Sequence, residues 1–195
     1  LIPGTFGGAV AMNAGTRETE LSEILHEVDL WSANRPGEVT TLSANFLNMA
    51  YRHCELQENC WVLRGKIRVT AGDVVGAGAR VKADKARRDL TQPYRMASVG
   101  STFANPEGDF AGRLIENIGM KGERIGGAQV SDLHANFFIN AGGASAEDFL
   151  TLMATARHRV REAHGVELRP EVKFVGFDGW SRLLELESQL AGASC

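Results

Sequence analysis

The chain lacks any apolar run near the ~20 residues a membrane-spanning helix needs, so it is not read as a membrane protein. It has three cysteines, Cys54, Cys60 and Cys195. An odd number without paired spacing excludes a disulfide scaffold and a zinc knuckle, and fits the reducing cytoplasm. The histidines (His26, His53, His134, His158 and His164) have no metal-ligand spacing, so no metal is expected. There is no charge excess of either sign beyond a net −3, which argues against a general grip on nucleic acid. No secretory signal peptide is expected. Charged residues at 23% and apolar residues at 44% exclude a disordered tail and leave an ordinary folded chain. Oligomeric state is left open.

Glycine is abundant and clustered, with 22 of 195 residues. The Gly/Ala-rich start, residues 1–15, reads as a turn followed by a short helix. Alternation predicts strands over 23–31, over Glu38–Leu42 and over 60–69, with Ser43 capping a helical turn through Met49. This half reads as antiparallel sheet. Residues 73–91 carry many basic side chains and read as a solvated helix ending before Pro93, with the domain boundary in its first part. Beyond it the pattern is α+β. A Gly/Pro loop spans 98–110, a short helix ends at Gly119, and RIGGAQVS and NFFIN read as strands. Ser145 and Asp148 form a capping-box start to a helix over 145–164, which Gly165 ends. Phe149, Met153, Ala156, Val160 and Ala163 make its apolar stripe. VELRPEVKFVG is expected as a last strand, placed at a sheet edge by Pro170. A helical tail follows over 178–191.

Three segments have residue types suited to chemistry. In PGTFGG, adjacent glycines at a helix start let backbone N–H groups approach an anion, although a tight turn with close packing is the commoner case. In VGSTFANPEGDFAG, Ser101 presents a hydroxyl before a helix, although a lone serine is a weak nucleophile and a turn serine is the commoner case. In SDLHANFFIN, His134 is suited to be a base but is more often a hydrogen-bonded structural residue. Gly76-Ala77-Gly78 imitates a dinucleotide fingerprint, but Val81 stands at the third glycine position and no βαβ unit surrounds it.

Taken in order, the strings IPGTFGGAVAMNAG, AYRH, GSTFANPEGDFAGRLIE, GMKGERIGGAQVSDLHANFFIN and RPEVKFVG resemble the UDP-N-acetylenolpyruvoylglucosamine reductase (MurB) family. SDLHANFFIN is similar to its shorter, type II branch. The resemblance implies an α+β fold: the C-terminal part of a MurB-type FAD-binding domain over residues 1–77, a small α+β substrate-binding domain over 78–177 and a helical tail over 178–195. It implies a flavoprotein oxidoreductase with FAD and NADPH. NADPH reduces FAD, and hydride passes to the vinyl carbon of the enolpyruvyl ether of UDP-N-acetylglucosamine enolpyruvate. A proton then reaches the carbon bearing the carboxylate. The product, UDP-N-acetylmuramate, is a peptidoglycan precursor.

By the same resemblance Ser101 is the proton donor, and Arg52 and Glu171 complete the catalytic set. A fixed arginine suits the negative charge that hydride addition builds on the carboxylate. Gly4, Thr5, Gly7, Gly8 and Asn13 fall on the flavin-lining segment, mostly through backbone, and Asn105 on a substrate-side position. Charge alone places Arg87 and Arg88 toward a diphosphate, and a solvated helix face explains them equally. Cys54 replaces the family's usual serine after Tyr-Arg-His. Family members begin upstream of IPGT, so the chain is read as their C-terminal portion. A UDP-sugar-binding fragment without turnover is the alternative, and another flavoprotein of the same FAD-domain fold is a third.

Overall fold

The computed structural model describes residues 4–16 and 19–193; Pro3 of the first motif and Cys195 lie outside them. The chain divides into two compact units, Leu1–Val81 and Lys82–Cys195.

In the first unit, helix α1 (Phe6–Ala11) and the short α2 (Leu21–Ile24) precede β1 (Leu25–Ser32), β2 (Val39–Ser43) and β3 (Cys60–Ile67). The strands form an antiparallel sheet in the order β2-β1-β3. Leu25, Val28 and Leu30 of β1 are buried, a spacing of three and then two. The pairing explains it: the register slips between Leu25 and Glu27, so one extra residue restores Val28 to the inner face. Val10 of α1 and Leu47 close this small core. The opposite face is held by charge, with Asp29 accepting from Thr41 on one side and Arg64 on the other. A 3-10 turn over Ala44–Leu47 follows Ser43 as expected, but the Ser43 side chain makes no cap bond.

Helix α3 (Val74–Thr91) runs across the division between the units, and none of its residues is buried. Gly76 and Gly78 lie inside it, so no dinucleotide loop forms there. In the second unit, β4 (Ser98–Ser101), α4 (Ala111–Asn117), β5 (Arg124–Ile125), β6 (Ala128–Val130) and β7 (Phe137–Asn140) lead to α5 (Ala146–His164) and α6 (Gly179–Ala193). The sheet is antiparallel in the order β4-β7-β6-β5. Its core joins Phe103, Leu114, Ile115, Met120, Val130 and Phe138 to α5, with the Phe103 and Phe138 rings edge to face at 5.8 Å.

Three expectations change here. Residues 98–101, expected as loop, form β4. The segment VELRPEVKFVG is not a strand; it makes a single antiparallel bridge between Phe103 and Pro170. The apolar stripe of α5 is wider than its spacing indicates: Leu150, Leu152, Thr155 and Arg157 are buried too, whereas Ala163 is exposed. The reason is α6, which packs on α5 and buries Leu183 and Leu186. Among the described residues no helix is long and apolar enough to cross a membrane.

The capping box of α5 is complete. Asp148 N–H donates to Ser145 Oγ at 3.1 Å, and Ser145 N–H donates to Asp148 Oδ2 at 2.9 Å. Gly165 ends the helix at φ +67°, a conformation glycine takes at little cost. Ser145→Ala should destabilise the chain by about 1 kcal/mol and lower the melting temperature by about 2–4 °C. Thermal denaturation followed by circular dichroism checks this.

Candidate active site

The site is built around Ser101, the last residue of β4. Gly100 just before it has φ +77°, in the left-handed region that a β-carbon disfavours. There the β4–β7 register slips, between the Ser98–Ile139 and Ser101–Phe137 pairs. The glycine of the Gly-Ser dipeptide is thus a backbone requirement that sets where Ser101 emerges. Ser101 is half-buried, and its hydroxyl makes no side-chain hydrogen bond among the described residues.

The next three residues are held from both sides. On one side, Thr102 N–H donates to the Asn136 carbonyl at 2.8 Å. The Asn136 carboxamide then clasps Phe103, accepting its N–H at 3.0 Å and donating to its carbonyl at 2.8 Å. On the other side, Ala104 N–H donates to the Arg169 carbonyl and Glu171 N–H to the Thr102 carbonyl, both at 2.9 Å. Pro170 therefore sits opposite Phe103, at the position of the ladder that needs no N–H. The Thr102 N–H goes to the Asn136 carbonyl and not back to Glu171, so the pairing stops at one bridge. Ser101 and Glu171 are in this way brought onto adjoining, paired segments.

Asn105 lies just beyond and is exposed. Its Oδ1 accepts the Ala111 N–H at 3.1 Å, giving the start of α4 a cap that Phe110 cannot supply. Gly112 of α4 lets the helix approach the 134–136 loop; a β-carbon there would stand 3.0 Å from His134 Cε1. His134 Nδ1 accepts the Asn136 N–H at 3.1 Å, and its ring meets Phe137 edge to face. His134 is a structural residue. The Arg113 guanidinium bonded to Asp109, and then the Phe110 N–H, hold that carboxyl down at about 2.

In the first unit, Arg52 is half-buried at φ +54° in a tight turn closed by reciprocal bonds between Ala50 and His53. Its guanidinium lies 4.8 Å from the Tyr51 ring centre and donates to the Gly15 carbonyl at 3.4 Å. The turn is anchored by Asn13, which is fully buried. Asn13 Nδ2 donates to the Ala50 carbonyl and to Glu20, and its Oδ1 accepts the Ser22 N–H. The Asn13 side chain thus fixes the loop that holds Arg52, and its carboxamide is engaged within the protein. Thr5 caps α1 by accepting the Gly8 N–H at 3.1 Å. Gly4, at φ +137°, and Gly8 are exposed, whereas Gly7 packs against Val62 of β3. Gly4, Thr5 and Gly8 thus leave an exposed turn of backbone, whereas Gly7 is a packing residue.

Arg87 and Arg88 lie in the last turns of α3. Arg87 pairs with Asp84 at 2.9 Å, and Arg88 stacks 5.1 Å from the Tyr94 ring and donates to Gln92. Burial, and then the charge of Glu55, push the Cys54 thiol up, so it is not an activated thiolate. Among the described residues no cluster of His, Cys, Asp or Glu is placed to hold a metal ion. Asn136 was not singled out from the sequence, although it stands in the ANFFIN string; its role needs the partner segment 33 residues upstream.

The second unit is thus an α+β domain that carries a serine and a carboxylate on bridged segments. Its residues 92–175 match the family model described as UDP-N-acetylenolpyruvoylglucosamine reductase, C-terminal domain. The chain as a whole is similar to those reductases. It is 47% identical over 175 residues to the one from Anaeromyxobacter sp. (strain Fw109-5), covering 90% of this chain and 54% of that protein. It is 45% identical over 175 residues to the one from Myxococcus xanthus (strain DK1622), covering 90% and 56%. The crystal structure of the reductase (MurB) from Thermus caldophilus superposes with a TM-score of 0.76 at 35% identity, covering 88% of this chain and 60% of that one. The chain spans about half the length of the curated relatives it matches.

Two outcomes follow from this geometry. Asn136→Ala leaves the buried Phe103 N–H and carbonyl without partners and should cost about 2–4 kcal/mol, read by urea denaturation. The Asp109 carboxyl should titrate near 2 by NMR. A folded value below the unfolded one means its stabilising effect is complete above the ordinary carboxyl range of about 4 and is lost as pH falls from there toward 2. Asp109→Asn should remove that part of the acid sensitivity.

Proposed function

We propose that this chain provides the substrate-reducing machinery of a UDP-N-acetylenolpyruvoylglucosamine reductase, converting the enolpyruvyl ether of UDP-N-acetylglucosamine to UDP-N-acetylmuramate for peptidoglycan. The observation that carries the proposal is the bridge that sets Ser101 beside the Glu171 segment, with the Ser101 hydroxyl left available.

FAD, replenished by NADPH, would supply the hydride when bound at the Gly4–Gly8 turn. The protein's own residues do the rest. Ser101 Oγ carries the proton that goes to the carbon bearing the carboxylate and recovers one from solvent. A serine is a poor acid in water, but a carbanion-like centre is strongly basic and the serine backbone is fixed. Glu171, a carboxyl, is a second acid on the adjoining segment. Arg52, held at its turn by Asn13, is suited to pair with the substrate carboxylate. Asn105, and Arg87 and Arg88 on α3, are the candidates for the sugar and diphosphate. A UDP-sugar-binding fragment without turnover is the second reading, favoured by the share of the relatives' length that the chain spans.

The test is the visible spectrum of the purified chain with FAD, followed by anaerobic NADPH and then the enolpyruvyl UDP-sugar. A bound flavin band that bleaches with NADPH and returns with the sugar supports the reductase. Ser101→Ala should leave the bleaching intact and slow the return by about 10²–10⁴-fold. A band that never appears, in a chain that binds UDP-N-acetylmuramate, supports the fragment reading. Equal rates for Ser101→Ala and the parent would contradict the assignment of the serine.

A further inference from the structure

We propose that Arg157, clamped by helix α6, is a positioning residue for the Ser101–Glu171 site. The inference rests on the reading of that site given above. Arg157 lies on α5 and is 2% exposed. Its Nε donates to Glu187 Oε1 of α6 at 2.5 Å. Its Nη2 donates to Glu167 at 2.9 Å and, less closely, to Glu187 Oε2. Its Nη1 donates to the Leu168 carbonyl. The guanidinium also lies 5.3 Å from the Trp180 ring.

Two observations make this more than a helix-docking contact. Burying an ion pair is a poor way to join two helices, because removing both charges from water offsets most of their attraction. Leu183 and Leu186 already supply apolar docking. What an arginine adds is a rigid fork that grips several acceptors in fixed directions. One of those acceptors is the carbonyl of Leu168, next to Arg169, whose own carbonyl takes the Ala104 N–H. The Glu171 N–H follows two residues on, bonded to Thr102. The chain of contacts runs from Glu187 through Arg157 to Leu168, and from there to the bridge beside Ser101. Further, the matched family domain ends at residue 175, and α6 begins at Gly179. The Glu187 and Trp180 side of the clamp thus lies beyond the matched residues.

The experiment is amide hydrogen exchange by NMR on the full chain, parent against Arg157→Lys. Lysine keeps the charge opposite Glu187 and much of the stem but loses the fork, so the fold is retained. The Ala104 and Glu171 amides report the bridge. The Gly122 and Val130 amides, bonded elsewhere in the unit, report general loosening. Exchange at Ala104 and Glu171 should quicken by about 10-fold, with Gly122 and Val130 changing by less than about 2-fold. Glu187→Gln should loosen the same two amides. Glu185→Ala, which alters an exposed α6 residue paired with Arg182, should leave all four unchanged. Equal quickening of all four amides in Arg157→Lys, or no quickening of any, overturns the proposal. Exchange reads position and not turnover, so failure of the reductase reading leaves this result standing, and the reverse also holds.

Discussion

The second unit depends on one short stretch of backbone, Thr102–Ala104, being held from two sides. Its polar groups are buried, and a buried N–H or carbonyl must find a partner or cost free energy. Asn136 satisfies Phe103 and the Thr102 N–H, and the 169–171 segment satisfies the Thr102 carbonyl and the Ala104 N–H. Everything assigned to the site follows from that arrangement. Ser101 is fixed as the residue before the clasped stretch, Glu171 as the residue bonded to it, and Pro170 is accommodated because its place in the ladder asks for no donor.

The first unit repeats the device with a different asparagine. Asn13, also buried, joins the end of α1, the start of α2 and the turn that carries Arg52. In both units an asparagine serves where secondary structure does not reach, because one carboxamide offers a donor and an acceptor on a short stem. The residues suited to chemistry stand on irregular backbone, and the asparagines make that backbone rigid.

Local features were legible in the sequence. The strands of the first unit follow from alternation, and Ser145, Asp148 and Gly165 mark the ends of α5 by capping chemistry within one turn. Ser101, Arg52 and Glu171 were singled out through resemblance rather than pattern, since none has a partner nearby in sequence. What stayed hidden was non-local. β4 is four residues long with a glycine at its third position, too short for alternation to register. The 166–176 segment alternates like a strand but makes one bridge, because the Thr102 N–H that would extend the pairing goes to the Asn136 carbonyl. Arg157 was not singled out from the sequence, and its partner Glu187 lies 30 residues on.

The central claim is that the Thr102–Ala104 clasp presents one ligand site with Ser101 and Glu171 at its edge. The most direct measurement is an NMR titration of the chain with UDP-N-acetylmuramate. Amide shifts concentrated at Ser101, Asn105 and Glu171, saturating together, are the expected result. Saturating shifts that leave those three amides unmoved would contradict the account.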